Sequence, residues 1–277
     1  MLSNFYIEDH VKAALNEDIG FGDITTENLT GESDTLAATL DTRVDGVLCG
    51  CEVFRTVFKI LNPEVQVKFY FKDGDIIKKG DKVADITGPA RAILMGERVS
   101  LNYIQRMSGI ATETHKYQTA IGNLPAKIVD TRKTTPNFRA FEKYSVKIGG
   151  GALHRFNLSD CAMIKDNHIK FAGSITNAVK QLRENISHAH KIEVECDTIE
   201  QVKEAVFAGA DIIMLDNMPC DVMKEACKII DKKAIVEASG NVNLDTVRQI
   251  AECGVDIISS SAIVAKAPTL DLGLDIF

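Results

Sequence analysis

The 277-residue chain has no tryptophan, only 6 prolines and 6% aromatic residues. It has no low-complexity linker and no Pro/Gly/Ser-rich hinge, so a domain boundary must be read from a change of pattern. No apolar stretch approaches the roughly 18 residues of a membrane span. The N-terminus carries Glu8, Asp9 and Lys12 in its first turns, not the basic start and apolar run of a signal peptide. A soluble, cytoplasmic protein is expected. Excess positive charge is also missing: 32 Lys and Arg stand against 39 Asp and Glu, a net charge of −7. That argues against nucleic acid or an anionic membrane as partner, since both need a basic face. No Gly-x-Gly-x-x-Gly follows a strand pattern, which excludes the usual dinucleotide-binding sheet. The 7 cysteines are odd in number and fit no disulfide framework. Cys49-Gly-Cys51 has no second pair at zinc-ligand spacing. A reducing compartment is the simplest setting.

What is present is 45% hydrophobic residues, enough for a sizeable core without staples, and an uneven distribution of charge. Residues 1–50 hold ten acids and two bases, whereas residues 127–170 hold nine bases and four acids. A basic block in an acidic chain suits a small anionic ligand or a solvated helix face; charge alone does not choose between them.

From about residue 120 short apolar runs recur, each ending in a polar cluster. They begin at Lys127, Ala162, Ile192, Ile212, Ile235 and Ile257, the last four about 20 residues apart. Helical patterns lie between them. One opens on a Thr198 cap, another on Asn243 with Gly254 as its stop. Repeated strand–helix units of this length imply a parallel sheet with helices outside, and six regularly spaced strands favour a β/α barrel. The first 110 residues differ. Residues 65–71 alternate like a strand with one wet face, and 91–107 carry an amphipathic helix pattern. An α+β domain packed on a barrel is expected, with 270–277 returning to the first domain.

In such barrels chemistry sits at the C-terminal ends of the strands. Here those ends are Arg132 and Lys133, then Lys165 to His168, then Glu195, then Asp216 with Asn217, then Ser239 with Gly240, and finally Ser259 to Ser261. Early strands supply cations for carboxylates or phosphates. Middle strands supply carboxylates that could hold Mg²⁺ or stabilise a carbocation-like centre. Late strands supply small residues suited to a monophosphate. The triple glycine 149–151, before His154 and Arg155, would let backbone approach a ligand closely. The set suits a sugar phosphate with a polyanionic leaving group and an anionic partner. Taken singly, Lys165 reads equally as a salt-bridged barrel lysine or a Schiff-base lysine.

The motifs Asp130-Thr-Arg-Lys-Thr-Thr-Pro136, Gly149-Gly-Gly-x-x-His154-Arg155 and Ile164-Lys-Asp-Asn-His168 resemble those of the quinolinate phosphoribosyltransferase family, the carboxylating nicotinate-nucleotide pyrophosphorylases. Further matches at residues 17–26, 97–112, 193–195, 215–217 and 237–240 extend the likeness over the whole chain. The resemblance implies a type II phosphoribosyltransferase-like fold: an N-terminal α/β sandwich over 1–112, with 266–277 returning to it, packed on a catalytic barrel over 113–265. It implies transfer from phosphoribosyl pyrophosphate to quinolinate with loss of CO₂, a step of NAD biosynthesis that uses Mg²⁺, in a homodimer with shared active sites.

By the same likeness Arg132, Lys133, His154, Arg155 and Lys165 line the quinolinate and pyrophosphate region, and Arg98 reaches the partner subunit's site. Glu195 and Asp216 are the ribose- and metal-associated acids. Ser239, Gly240 and Ser261 fall in the 5′-phosphate region. Lys133, Lys165, Glu195 and Asp216 are the expected catalytic set. Leu153 stands where the family commonly has Asn, Asn241 where it has a second Gly, and the residues around Ser260, Ser261, Val264 and Ala265 differ from its usual ending. Two alternatives remain beside this reading: the pyrophosphorylase-like paralogue found beside molybdate transporters, and a Schiff-base lyase using Lys165.

Overall fold

A computed structural model describes residues 2–276. In chain order the elements are α1 (Asn4–Ile19), α2 (Thr26–Leu29), β1 (Thr35–Thr42), β2 (Gly46–Val47), α3 (Cys51–Leu61), β3 (Gln66–Phe69), β4 (Ile76–Ile77), β5 (Lys82–Pro89), α4 (Ala90–Ile121), β6 (Lys127–Val129), α5 (Arg139–Ile148) and β7 (Ala162–Ile164). There follow α6 (Asp166–Ala172), α7 (Ile175–Asn185), β8 (Ile192–Cys196), α8 (Ile199–Ala208), β9 (Ile212–Asp216), α9 (Cys220–Ile230), β10 (Ile235–Ser239), α10 (Val247–Ala251), β11 (Ile257–Ser259), α11 (Ala262–Ala265) and β12 (Leu272–Ile276). They form two compact units: residues 1–115 with 137–150 and 267–277, and residues 116–136 with 151–266.

The first unit is built on an antiparallel sheet in the order β12-β1-β5-β3. Strand β12 brings the C-terminal segment back, with Leu274 opposite Leu40 of β1; Phe277 at its end lies outside the described residues. Phe54 and Phe58 of α3 and Ile93 and Ile104 of α4 bury their side chains with Leu40 and Ile86 of the sheet. A second cluster joins Ile7, Val11 and Leu15 of α1 to Val53, Tyr103 and Phe141. Phe141 is the reason residues 137–150 belong here: α5 puts its apolar face into this cluster. Gly109 of α4 is required by close approach, because a Cβ there would sit 1.9 Å from the Pro268 carbonyl oxygen.

Helix α4 runs well past the expected 91–107. Beyond Met107 its buried phase is carried partly by Ser108 and Thr114, both fully buried, whose hydroxyls bond to backbone carbonyls of Cys49 and Ile110. Such residues do not register as apolar in a periodicity reading.

The second unit holds all six expected strands in one parallel sheet, ordered β6-β11-β10-β9-β8-β7. The first and last strands of the series, β6 and β11, are hydrogen-bonded neighbours, so the sheet curls round as a barrel and does not spread as an open sheet. Beside β6 on its other side stands Ala152, bridged in parallel to Val129. The interior positions of β8, β9 and β10 are buried on both faces, as strands covered by helices require. Helix α8 starts on Thr198 with the full capping box to Gln201. Helix α10 starts at Val247, later than Asn243 suggested, because the Asn243 side chain accepts from the Asp245 and Thr246 amides and folds the segment into a turn.

Candidate active site

Alternation along each strand decides which side chains point to the barrel interior. On β8 that phase holds Glu193 and Glu195; on β10 it holds Glu237 and Ser239; on β9 it holds Met214 and Asp216. Pairing sets Glu195 beside Met214 and Ser239 beside Asp216. At the C-terminal ends of the strands opens a cavity of about 720 Å³, a size that takes a metabolite-sized ligand.

Its walls group by charge. Arg132 and Lys133 follow β6, His154 and Arg155 follow Ala152, and Lys165 follows β7. Glu195 and Asp216 supply carboxylates, and Ser239, Gly240 and Ser261 line it from the last strands. All ten barrel residues expected from the sequence therefore line one cavity. Asn217, Asn241, Met163, Met214 and Lys266 also line it.

The Lys165 ammonium contacts the Glu195 carboxylate directly, which keeps a cation and an anion side by side in the cavity wall. Arg155 donates to the Cys161 carbonyl at 2.9 Å and reaches Met163 Sδ at 3.4 Å, so its guanidinium is anchored on one side. Asn217 and Asn241 both adopt left-handed backbone, with φ of 53° each. The Asn241 side-chain amide donates to Asn217 Oδ1 at 3.1 Å, and Asn217 Nδ2 donates to Asp216 Oδ2 at 2.8 Å. A relay of two amides thus holds the Asp216 carboxylate. Asparagine tolerates that left-handed conformation better than most residues do.

Two expectations change. His168 does not line the cavity: its Nδ1 accepts the Lys165 amide at 2.9 Å in the first turn of α6. The glycines at 149–151 do not line it either. A Cβ at Gly149 would lie 2.3 Å from the Ala111 carbonyl oxygen, so this glycine serves close packing of α5 on α4. Arg98 lies exposed on α4 in the first unit, and is not among the residues of this cavity.

Below the cavity the barrel holds two acids that no strand-end reading selects. Glu193 and Glu237 are buried in the sheet, and His154 Nε2 lies 3.4 Å from Glu193 Oε2 and 3.3 Å from Glu237 Oε1. Burial alone would lower the His154 pKa; the two carboxylates raise it. Burial, with Glu237 close by, pushes the Glu193 carboxyl upward. The donor atoms of these three residues lie within 4.8 Å of one another, the composition of a metal-ligand set. The available signal was positional: an acid two residues before an inward strand-end residue, Glu195 or Ser239, shares its inward phase.

Fold and cavity define a chain of two compact units whose β/α barrel carries a cavity lined by cations, carboxylates and small polar residues at its strand ends. Two family models match it: quinolinate phosphoribosyl transferase, N-terminal domain, over residues 23–108, and the C-terminal domain of the same family over residues 110–275. A probable carboxylating nicotinate-nucleotide pyrophosphorylase of Bacillus subtilis is 43% identical over 276 residues, covering 100% of this chain and 92% of that one. The chloroplastic carboxylating nicotinate-nucleotide pyrophosphorylase of Arabidopsis thaliana is 40% identical, covering 96% and 81%. The crystal structure of NadC from Streptococcus pyogenes superposes with a TM-score of 0.96 at 41% identity, covering 100% and 99%. The chain belongs to the quinolinate phosphoribosyl transferase family.

Proposed function

We propose that the barrel cavity joins quinolinate to phosphoribosyl pyrophosphate by the following division of labour among its residues. The enzyme is a carboxylating nicotinate-nucleotide diphosphorylase, a pentosyltransferase of NAD biosynthesis. Arg132 and Arg155, with His154 beside them, hold the two carboxylates of quinolinate. Lys133 and Lys165 hold the diphosphate, and Ser239, Gly240 and Ser261 hold the 5′-phosphate. The observation that carries this reading is the segregation of cations, carboxylates and small strand-end residues around one cavity.

The chemistry asks for positioning and charge. The pyridine nitrogen carries no proton, so it attacks the ribose C1 with no base to help it. The bond from C1 to the diphosphate oxygen breaks, and its electron pair leaves with pyrophosphate. Positive charge develops on the ribose, and the Glu195 and Asp216 carboxylates stabilise it. In the nucleotide formed, the ring nitrogen is quaternary. Its positive charge stabilises the in-plane electron pair left on the adjacent carbon as the C–CO₂ bond breaks, and that carbon then takes a proton from solvent. Arginines fixed on both carboxylates hold the ring for attack and contribute through orientation.

Glu195 and Asp216 offer the oxygen donors that Mg²⁺ prefers, and the cavity provides cationic partners for the remaining phosphate oxygens, so the residues fit this ion. When bound, Mg²⁺ neutralises charge on the diphosphate. A homodimer in which Arg98 of one protomer completes the other's site accounts for an exposed arginine on α4. Seven free cysteines suit the cytoplasm, and among the described residues no helix is long and apolar enough to cross a membrane. The contact between Lys165 and Glu195 occupies that side chain in an ion pair in the cavity wall, which disfavours Schiff-base chemistry. Matches to carboxylating pyrophosphorylases disfavour the molybdate-associated paralogue.

The test is a coupled assay on purified enzyme with phosphoribosyl pyrophosphate, Mg²⁺ and either quinolinate or nicotinate. Quinolinate should yield nicotinate mononucleotide and stoichiometric CO₂, and nicotinate should not react. No CO₂ release from quinolinate would overturn the reading.

A further inference from the structure

Glu193 and Glu237 place two carboxyl groups in the dry interior of the barrel. Neither oxygen of Glu193, nor Oε1 of Glu237, has a hydrogen bond of good geometry among the described residues. One Nε2–H on His154 faces both at 3.3–3.4 Å, and a single proton is shared between the two. Such burial is unfavourable, and apolar residues would fill these core positions without that penalty. Two acids kept here call for a use beyond folding.

The other side of the imidazole supplies one. The Arg155 backbone amide donates to His154 Nδ1 at 2.7 Å, so Nδ1 is an acceptor and the ring proton sits on Nε2, toward the glutamates. The His154 backbone amide donates to Asp130 Oδ1 at 2.9 Å. The ring thus spans from the glutamates to the backbone of Arg155, whose guanidinium lines the cavity. We infer that Glu193 and Glu237 are positioning residues for the transferase reaction, holding the His154 ring as a strut that fixes the Arg155 backbone and the aim of its guanidinium. This rests on the assignment of Arg155 to quinolinate. The two carboxylates act together to place the ring proton on Nε2, and the Arg155 amide aimed at Nδ1 opposes the second proton that their charge favours, leaving Nδ1 as the acceptor.

The experiment uses the full-length enzyme and three substitutions, Glu237→Gln, His154→Ala and the two combined. Glu237→Gln should raise KM for quinolinate at least tenfold, with KM for phosphoribosyl pyrophosphate within twofold of wild type. In the His154→Ala background it should add less than a twofold effect, because its route to the substrate is already cut. A separate effect of the same size in that background would overturn the inference. So would an unchanged quinolinate KM, or a stoichiometric metal ion that wild type carries and Glu237→Gln loses. Nitrogen-15 NMR of the wild-type His154 ring needs no substitution: an Nε2–H tautomer at neutral pH is expected, and an Nδ1–H tautomer or an imidazolium would refute the strut whether or not the variants fold. If wild type itself failed to turn over quinolinate, the functional reading would fall while the ring geometry stood.

Discussion

Gly240→Ala puts one methyl group where the cavity has no room for it. Gly240 follows β10 with φ of +92°, a conformation that costs an L-residue about 1–2 kcal/mol. Its Cβ would lie 2.1 Å from Asn217 Oδ1 and 3.0 Å from Asn217 N. The Asn217 side chain must therefore swing away, and its hydrogen bonds to Asn241 and Asp216 break, at about 1 kcal/mol each. The total is about 3–4 kcal/mol, or more than about 100-fold in kcat/KM if all of it falls on the transition state. The assay is steady-state turnover with phosphoribosyl pyrophosphate varied, beside thermal unfolding. Loss of activity should exceed loss of stability, since Asp216 loses its orientation while the strand core is untouched. In an Asn217→Ala background the same methyl should cost clearly less. Activity within threefold of wild type for Gly240→Ala would refute the idea that this amide relay orients Asp216.

Lys165→Met should lower kcat/KM by about 100-fold or more, as loss of a charge-assisted contact to a diphosphate would, while the melting temperature moves little because the ion pair is partly solvated; a large drop in melting temperature with activity retained would contradict it. Gly109→Ala forces backbone against the Pro268 carbonyl and should destabilise by about 2–3 kcal/mol, read as a lowered unfolding midpoint in urea. Chelation with EDTA should abolish nicotinate mononucleotide formation and added Mg²⁺ should restore it; full activity in EDTA would remove the metal from the reaction. Arg98→Ala should be inactive alone and regain activity in mixed oligomers with Lys165→Met, measured after co-refolding or subunit exchange, and failure to complement would argue against a shared site.

The six barrel strands were legible because each is a short, mostly apolar run ending in a polar cluster, a pattern that survives without tertiary information. The capping box at Thr198 was legible for the same reason: its partners are three residues apart. The start of α10 was misread, since Asn243 and Thr246 both have the chemistry of a cap and local turn geometry chooses between them. The expected cavity residues were found because in this architecture sequence position at a strand end fixes spatial position. The glycines at 149–151 have the composition of a ligand loop, but what presses on a missing side chain is another segment, Ala111, and composition does not report it.

Sequence alone therefore determined the barrel, the sign of charge at each strand end and the family to which the motifs point, all of which depend on local order along the chain. Tertiary structure alone decided which groups meet: Lys165 with Glu195, Asn241 with Asn217, and His154 with Glu193 and Glu237. These contacts join residues 24 to 83 positions apart, and hydrogen bonds and charge act over a few ångströms. Whether an acid on a buried strand is a costly defect or a positioning group depends on what the curled sheet brings within that distance.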